Sequence, residues 1–261
     1  MQARMRARLS TAAVLALGAL LAVVASRPGS PFTPPLYPGA EAPGWLRGPA
    51  GALGLDDLSR EVVALVGGVV VFGLVAAFLF ALRAAWRGEI TVRTVVLAGI
   101  ALHLLAVAMP LFLSRDAYSY AIYGRMVVEH GANPYVDIPA GFPSDPTYPL
   151  VSVDWIDSKS VYGPAFTAVA AGVTAMASSP ASIVFGFKLV AAAASLATLL
   201  LVVPAARRVF PERTAFAAML VAWNPVVVFH GVAGGHNDAL LGLAIAAGVL
   251  ALVARRELVG T

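Results

Sequence analysis

In LSRDAYSYAIYGRM (Leu113–Met126) a carboxylate, Asp116, stands just past the end of a long apolar run, with Tyr118, Tyr120 and Tyr123 behind it. A carboxylate within hydrogen-bond reach of a bound hydroxyl can take its proton as that oxygen attacks. If residues 116–130 are helical, Asp116, Tyr120, Tyr123 and Val127 share one face, and His130 lies near it. Ala117, Ala121, Gly124 and Val128 occupy the other side, small enough to lie close against neighbouring helices. Asp116 falls in the first turn, where the helix dipole favours its ionised form. The plainer alternative is an N-cap aspartate followed by a belt of interfacial tyrosines.

Two further stretches carry polar chemistry. WNPVVVFHGVAGGHND (Trp223–Asp238) contains a helix-breaking Asn224-Pro225 and ends in His236, Asn237 and Asp238 just before an apolar run. Asp238 alone is ordinary N-cap chemistry, but three different polar side chains together suggest more. SVYGPAF (Ser160–Phe166) presents Tyr162 ahead of Gly163-Pro164, a turn with proline at the first helical position. Lys188 lies inside an apolar span, where it either snorkels outward or meets an anion. His103, mid-span, is expected to make an interhelical hydrogen bond.

These groups need elements to hold them, and the composition supplies membrane helices. Mean hydropathy is +0.83, with 59% apolar and 12% charged residues and no cysteine. This excludes an ordinary soluble domain, a disulfide framework and a thiolate metal site. Despite a formal charge of +4, the arginines form no single patch, so nucleic acid is not an expected partner. Apolar runs at Leu9–Ser26, Val62–Leu82, Val92–Leu113, Ala181–Val203, Ala215–His230 and Ala239–Ala254 predict an all-α polytopic transmembrane bundle of about six spans. Pro164–Ala177 is too short to cross and is expected to be a juxtamembrane helix.

Charge supports that count. Arg4, Arg6 and Arg8, then Arg83, Arg87 and Arg93, then Arg207, Arg208 and Arg213, and finally Arg255 and Arg256 all fall on one side, taken as cytoplasmic. Of the 14 acidic residues, only Glu89, Glu212 and Glu257 join them. The first span also fits a signal peptide, although Val23–Ser26 makes a poor cleavage site. Arg27–Arg60, rich in Pro and Gly, reads as irregular external chain, and residues 114–163 as an external catalytic loop.

LSRDAYSYAIYGRMVVEHGANPY, SVYGPAF and WNPVVVFHGVAGGHND, in this order and topology, resemble the actinobacterial polyprenol-phosphate-mannose-dependent α-1,6-mannosyltransferases, membrane glycosyltransferases of the C-type fold. The resemblance runs from about Leu97 to Leu250. It implies inverting transfer of mannose from polyprenyl-phosphate-mannose to a lipid-linked α-1,6-mannan acceptor in lipomannan and lipoarabinomannan assembly. The chemistry would take place on the external face of the cell membrane, with Asp116 at the position of the family's general base. Relatives are longer, so residues 1–261 are expected to be a single membrane domain, the N-terminal part of a larger enzyme.

On that reading Tyr120, Tyr123 and Tyr162 pack against sugar faces, and Asn237 and Asp238 bind hydroxyls. Arg125, Lys188 and His236 are the candidates for the donor phosphate, which leaves without protonation if positive charge or hydrogen-bond donors meet it. The polyprenyl tail lies between spans, in contact with membrane lipid. There is no Walker loop, no G-x-G-x-x-G after a strand and no histidine-rich zinc spacing, so neither cofactor nor metal is expected. A transporter or flippase of a lipid-linked sugar is the alternative, but such proteins place polar sites at the midplane on broken helices. A non-catalytic subunit of a glycosylation complex is the third reading.

Overall fold

In a computed structural model of the chain, residues 2–34, 44–177 and 179–259 are described, without side chains at 44–47 and 256–259. The helices run in the order α1 Gln2–Ala25, α2 Gly44–Ala52, α3 Arg60–Trp86, α4 Val92–Ala108, α5 Asp116–Val128, α6 Val153–Ile156, α7 Pro164–Ala175, α8 Pro180–Val209, α9 Thr214–Ala222 and α10 Asp238–Val259. Among the described residues there is no strand. Five helices among the described residues are long and apolar enough to cross a membrane: α1, α3, α8, α10 and the interrupted helix Pro211–Val232 that contains α9. The Pro- and Gly-rich stretch after α1 is less irregular than expected, since α2 and a 3-10 turn at Leu55–Asp57 form within it. Residues 35–43 of that stretch lie outside the described residues.

The third apolar run departs most from expectation. Helix α4 covers 17 residues and stops at Ala108, not at Leu113. Pro110 has no N–H to donate, and its ring forces the preceding Met109 out of helical geometry, to ψ 165°. The chain from Met109 to Leu113 therefore leaves the helix, extended at Met109 and turning at Leu113, and its freed backbone groups find partners inside the protein. The Met109 carbonyl accepts from Nζ of Lys188. The Phe112 N–H donates to the Ala233 carbonyl at 3.3 Å, and the Leu113 N–H to the Phe32 carbonyl at 2.8 Å. Phe112 and Phe32 stack with centroids 6.0 Å apart. Non-helical backbone is tolerated near membrane depth only when it is enclosed in this way.

The basic helix ends collect at one end of the bundle. Arg6 of α1 pairs with Glu89, in the turn between α3 and α4, at 2.8 Å. Arg213, ahead of α9, stacks on Trp86 at the end of α3 with its guanidinium carbon 4.0 Å from the ring centroid. At the opposite end, the loop after α1, the Met109–Leu113 segment and the Ala233 turn meet. Between the ends, α1, α3, α4, α8 and α9 share one apolar core that includes Leu21, Leu74, Leu102, Leu199 and Met219. The Trp223 indole N–H in that core donates to the Val95 carbonyl at 2.8 Å. His103 joins α4 to α8 through Ser195 at 2.8 Å, with its other ring nitrogen 2.8 Å from the Gly99 carbonyl. The mid-span histidine is thus satisfied between helices.

A second apolar cluster supports the polar end. Leu111, Ala117, Tyr120 and Ala121 pack on Ala170 of α7 and on Ile183, Val184 and Phe187 of α8. Helix α5 can sit this close to α7 because of Gly124: a Cβ there would lie 2.6 Å from the Ala170 carbonyl oxygen.

Candidate functional site

Asp116 is the first helical residue of α5, after Arg115 at the N-cap, and Arg115 makes no side-chain cap. Its backbone N–H is taken by the Ser114 hydroxyl at 3.0 Å. The capping alternative therefore does not describe this aspartate. Its carboxylate points to the turn between the fifth and sixth apolar stretches, where Oδ2 lies 3.4 Å from Nδ1 of His236. About a third of the Asp116 side chain, 37%, stays open to solvent. Just ahead of it Leu113 has φ 61°, a left-handed conformation that a leucine adopts only when its surroundings impose it.

The His236 side of the site is assembled by a change of helix type. Asn224-Pro225 ends α9, and Val226–Val232 continues as a π-helical turn. Short π segments cluster at functional sites because the wider turn re-aims side chains. The turn closes at Gly235, whose φ of +67° suits glycine. The His236 N–H then donates to the Gly231 carbonyl at 2.8 Å. The imidazole is buried, meets the tilted ring of His230 at 4.4 Å between centroids, and lies against Gly234. Burial, and then the nearby His230, lower its pKa below the ordinary histidine value, while Asp116 and Asp238 pull it up. Its Nε2 is buried without a hydrogen-bond partner.

Asn237 and Asp238 follow. The Tyr120 hydroxyl donates to Oδ1 of Asn237 at 3.1 Å, tying α5 to this turn. Asp238 opens α10, its carboxylate 79% exposed and 3.9 Å from His236 Nδ1. Tyr162 meets Tyr120 edge-on at 5.0 Å and stays half-buried. Burial, and then the negative charge of Asp116, push its phenol up to about 12. Asp116, Tyr120, Tyr162, His236, Asn237 and Asp238 thus form one cluster at the end of the bundle opposite Arg6 and Arg213.

A family model described as alpha-(1->6)-mannopyranosyltransferase, N-terminal domain, matches residues 9–261. The chain belongs to that family. Among curated relatives, it is 31% identical over 177 residues to alpha-(1->6)-mannopyranosyltransferase A of Mycobacterium tuberculosis, which covers 66% of this chain and 32% of that protein. It is 28% identical over 163 residues to alpha-(1->6)-mannopyranosyltransferase A of Corynebacterium glutamicum, covering 60% of this chain and 33% of that protein. The matched stretches span about a third of the length of these relatives. No solved structure gives a significant match.

Four residues expected to touch substrate are engaged elsewhere in this family member. Arg125 points away from Asp116: its Nε lies 2.9 Å from Oδ2 of Asp145, a carboxylate with no solvent exposure. Lys188 is buried, and its ammonium donates to the Met109 carbonyl. Tyr120 is buried among Tyr162, Phe166 and Phe187, with no ring face open to a sugar. Tyr123, also buried, donates its hydroxyl to the Ser158 carbonyl at 2.8 Å. His130 lies away from Asp116 as well, 2.8 Å from Oδ2 of Asp145.

Asp145 had no assigned role in the sequence reading, yet it organises the long loop. Besides Arg125 and His130, it accepts from the Thr147 N–H at 2.8 Å and the Thr147 hydroxyl at 2.6 Å. Burial pushes its carboxyl up, but the bonds from Thr147, His130 and Arg125 outweigh that and leave it below the ordinary aspartate value. The Asp-x-Thr pattern was a legible turn signal; the two cations that complete the knot were not. Among the described residues, no group of three or more His, Asp or Glu side chains is arranged to hold a metal ion.

Proposed function

We propose that the chain carries the acceptor-activating half of a polyprenyl-phosphate-mannose-dependent mannosyltransferase, with Asp116 as general base. The observation that carries this reading is an aspartate in the first turn of α5 that neither caps that helix nor is buried. It stays one-third open beside His236, Asn237 and Asp238. A C-type glycosyltransferase fold on six spans fits if α4 crosses together with its non-helical tail. Seventeen helical residues reach about 25 Å, and the four residues from Met109 to Phe112 add up to roughly 13 Å, enough for a hydrocarbon core of about 30 Å. The arginine-rich end faces the cytoplasm and the Asp116 end the outside.

In the reaction, an acceptor hydroxyl of a lipid-linked α-1,6-mannan gives its proton to Asp116. Its oxygen attacks the anomeric carbon, and the bond from that carbon to the phosphate oxygen breaks. Polyprenyl phosphate leaves with the bonding electrons, with inversion at the anomeric carbon. The leaving group is already a phosphate and needs no proton. Asn237 and Asp238 bind sugar hydroxyls, and the exposed part of Tyr162 lies against a sugar face. Tyr120 and Tyr123 build the wall behind them.

The test is transfer of radiolabelled mannose from polyprenyl-phosphate-mannose to an α-1,6-mannoside acceptor in membranes carrying the full-length gene product. Asp116→Asn should lower transfer by about 100- to 10,000-fold at unchanged protein level. Equal transfer would remove Asp116 from the chemistry.

A further inference from the structure

Of the groups around Asp116, His236 is held most tightly and is the least explained. Its ring lies 4.4 Å from the tilted ring of His230 and close to Gly234, where an added Cβ would lie 2.5 Å from its Cδ2. Its backbone is tied to Gly231 at 2.8 Å. The side chain is 7% exposed. Nε2 is orphaned in the interior, and Nδ1 is the nitrogen turned to the carboxylates. At 3.4 Å from Asp116 Oδ2, a small rotation of either side chain closes a hydrogen bond.

Three titratable groups face this imidazole: the Asp116 carboxylate from α5, the Asp238 carboxylate from α10, and the His230 ring from the π-helical turn. From α8, Lys188 approaches the turn at Gly235, where an added Cβ would lie 3.5 Å from its Cγ; its ammonium donates to Met109. Burial and His230 disfavour a second proton on the ring. The neutral imidazole then has one N–H to place. On Nδ1 it meets a carboxylate; on Nε2 it would be an unpaired donor in the interior, the costlier choice.

We infer that His236 is a positioning residue for the base, donating Nδ1–H to Asp116 and fixing the carboxylate toward the acceptor hydroxyl, and that it does not bind the donor phosphate. This rests on the proposed reaction with Asp116 as base. In the transfer step the proton passes from the acceptor hydroxyl to the Asp116 carboxylate, and His236 keeps its own proton throughout. The unsatisfied Nε2 is the cost of holding the ring in that tautomer.

Two isosteric variants separate the two roles. Asn places a donor near the position of Nδ1, whereas Gln reaches the position of Nε2. His236→Asn should retain transfer within a few-fold, while His236→Gln should lose about a hundredfold, the scale of a base displaced by about 1 Å. In the Gln variant the pH–rate profile should also move, because the base has lost its partner. A phosphate-binding Nε2 predicts the reverse order, and that order would overturn the inference.

A second readout does not depend on turnover. In protein labelled with 15N-histidine, Asp116→Asn should lower the pH at which His236 titrates, because the carboxylate that favours its protonated form is gone. An unmoved titration would overturn the pairing. Where wild-type protein shows no transfer, the proposed reaction fails, and the titration still decides the pairing. Matching melting curves of both His236 variants in detergent establish that the ranking does not reflect misfolding.

Discussion

The ammonium of Lys188, buried in the first third of α8, donates to the backbone carbonyl of Met109, the residue at which α4 ends. That bond joins two irregularities: an intramembrane charge, and a carbonyl released because Pro110 stops the helix. Phe187, next to Lys188, packs on Tyr120 with centroids 5.5 Å apart. The anchor for the span exit therefore also supports the wall of the site. Lys188→Met should preserve much of the volume while leaving the Met109 carbonyl unpaired. A loss of about 2 kcal/mol is expected, read as a lower midpoint in detergent-mediated unfolding. Donor KM should rise no more than the loss of folded protein accounts for. A selective rise in donor KM at full stability would return Lys188 to the phosphate.

The Asp145 knot sets an acid limit on the loop. Its carboxyl titrates below the ordinary aspartate value, so the folded state holds fewer protons than the unfolded chain. The stabilisation is fully present above the unfolded value of about 3.9 and is lost as pH falls through the lower native value. Hydrogen exchange across residues 129–160 should therefore accelerate sharply only in strong acid. Asp145→Asn should exchange quickly already at neutral pH and lose most of the acid dependence. Equal protection in both proteins would show that the loop is held by its apolar contacts, such as His130 against Phe142 at 4.6 Å.

Close approach of α5 and α7 predicts an asymmetric pair of glycine variants. A methyl group on Gly124 meets the Ala170 carbonyl oxygen at 2.6 Å and Thr174 Cγ2 at 2.9 Å. Backbone cannot yield as a side-chain tip can, so Gly124→Ala should cost about 1–3 kcal/mol and tilt Asp116 relative to His236. Gly172, on α7, has nothing within 4 Å of an added Cβ. Gly172→Ala should be neutral or stabilise by about 0.5–1 kcal/mol through helix propensity. Melting in detergent ranks the two, and equal behaviour would contradict the packing.

The long helices were legible because their apolar runs are unbroken: α1, α3, α8 and α10 fall where hydropathy puts them. The end of α4 was not legible because Leu111, Phe112 and Leu113 are apolar, and apolarity does not distinguish non-helical chain from helix. The meeting of Asp116 with His236–Asp238 was legible, since both motifs stand at ends of apolar runs on the same side of the bundle. Partners were not. Arg125 and Asp145 lie 20 residues apart in the sequence, and the Met109 carbonyl carries no mark in a one-letter code. A cation's charge and depth can be read from sequence, whereas its availability depends on acceptors that only the fold brings near.

Tyr120 tests whether the tyrosines are walls or contacts. Its ring meets Phe166 at 4.8 Å and Tyr162 at 5.0 Å, and its hydroxyl holds Asn237. Burial, followed by Tyr162 and Asp116, raises its phenol well above the ordinary tyrosine value, so it remains a donor across any working pH. Tyr120→Phe should cost about 1 kcal/mol through the lost bond and lower acceptor affinity by freeing Asn237. That effect should be the same at pH 6 and pH 8, because the hydroxyl is protonated at both. Tyr120→Ala should cost about 3–5 kcal/mol by emptying the aromatic cluster. A Phe variant with unchanged acceptor KM would separate Asn237 from the substrate, and a stable Ala variant would contradict the wall.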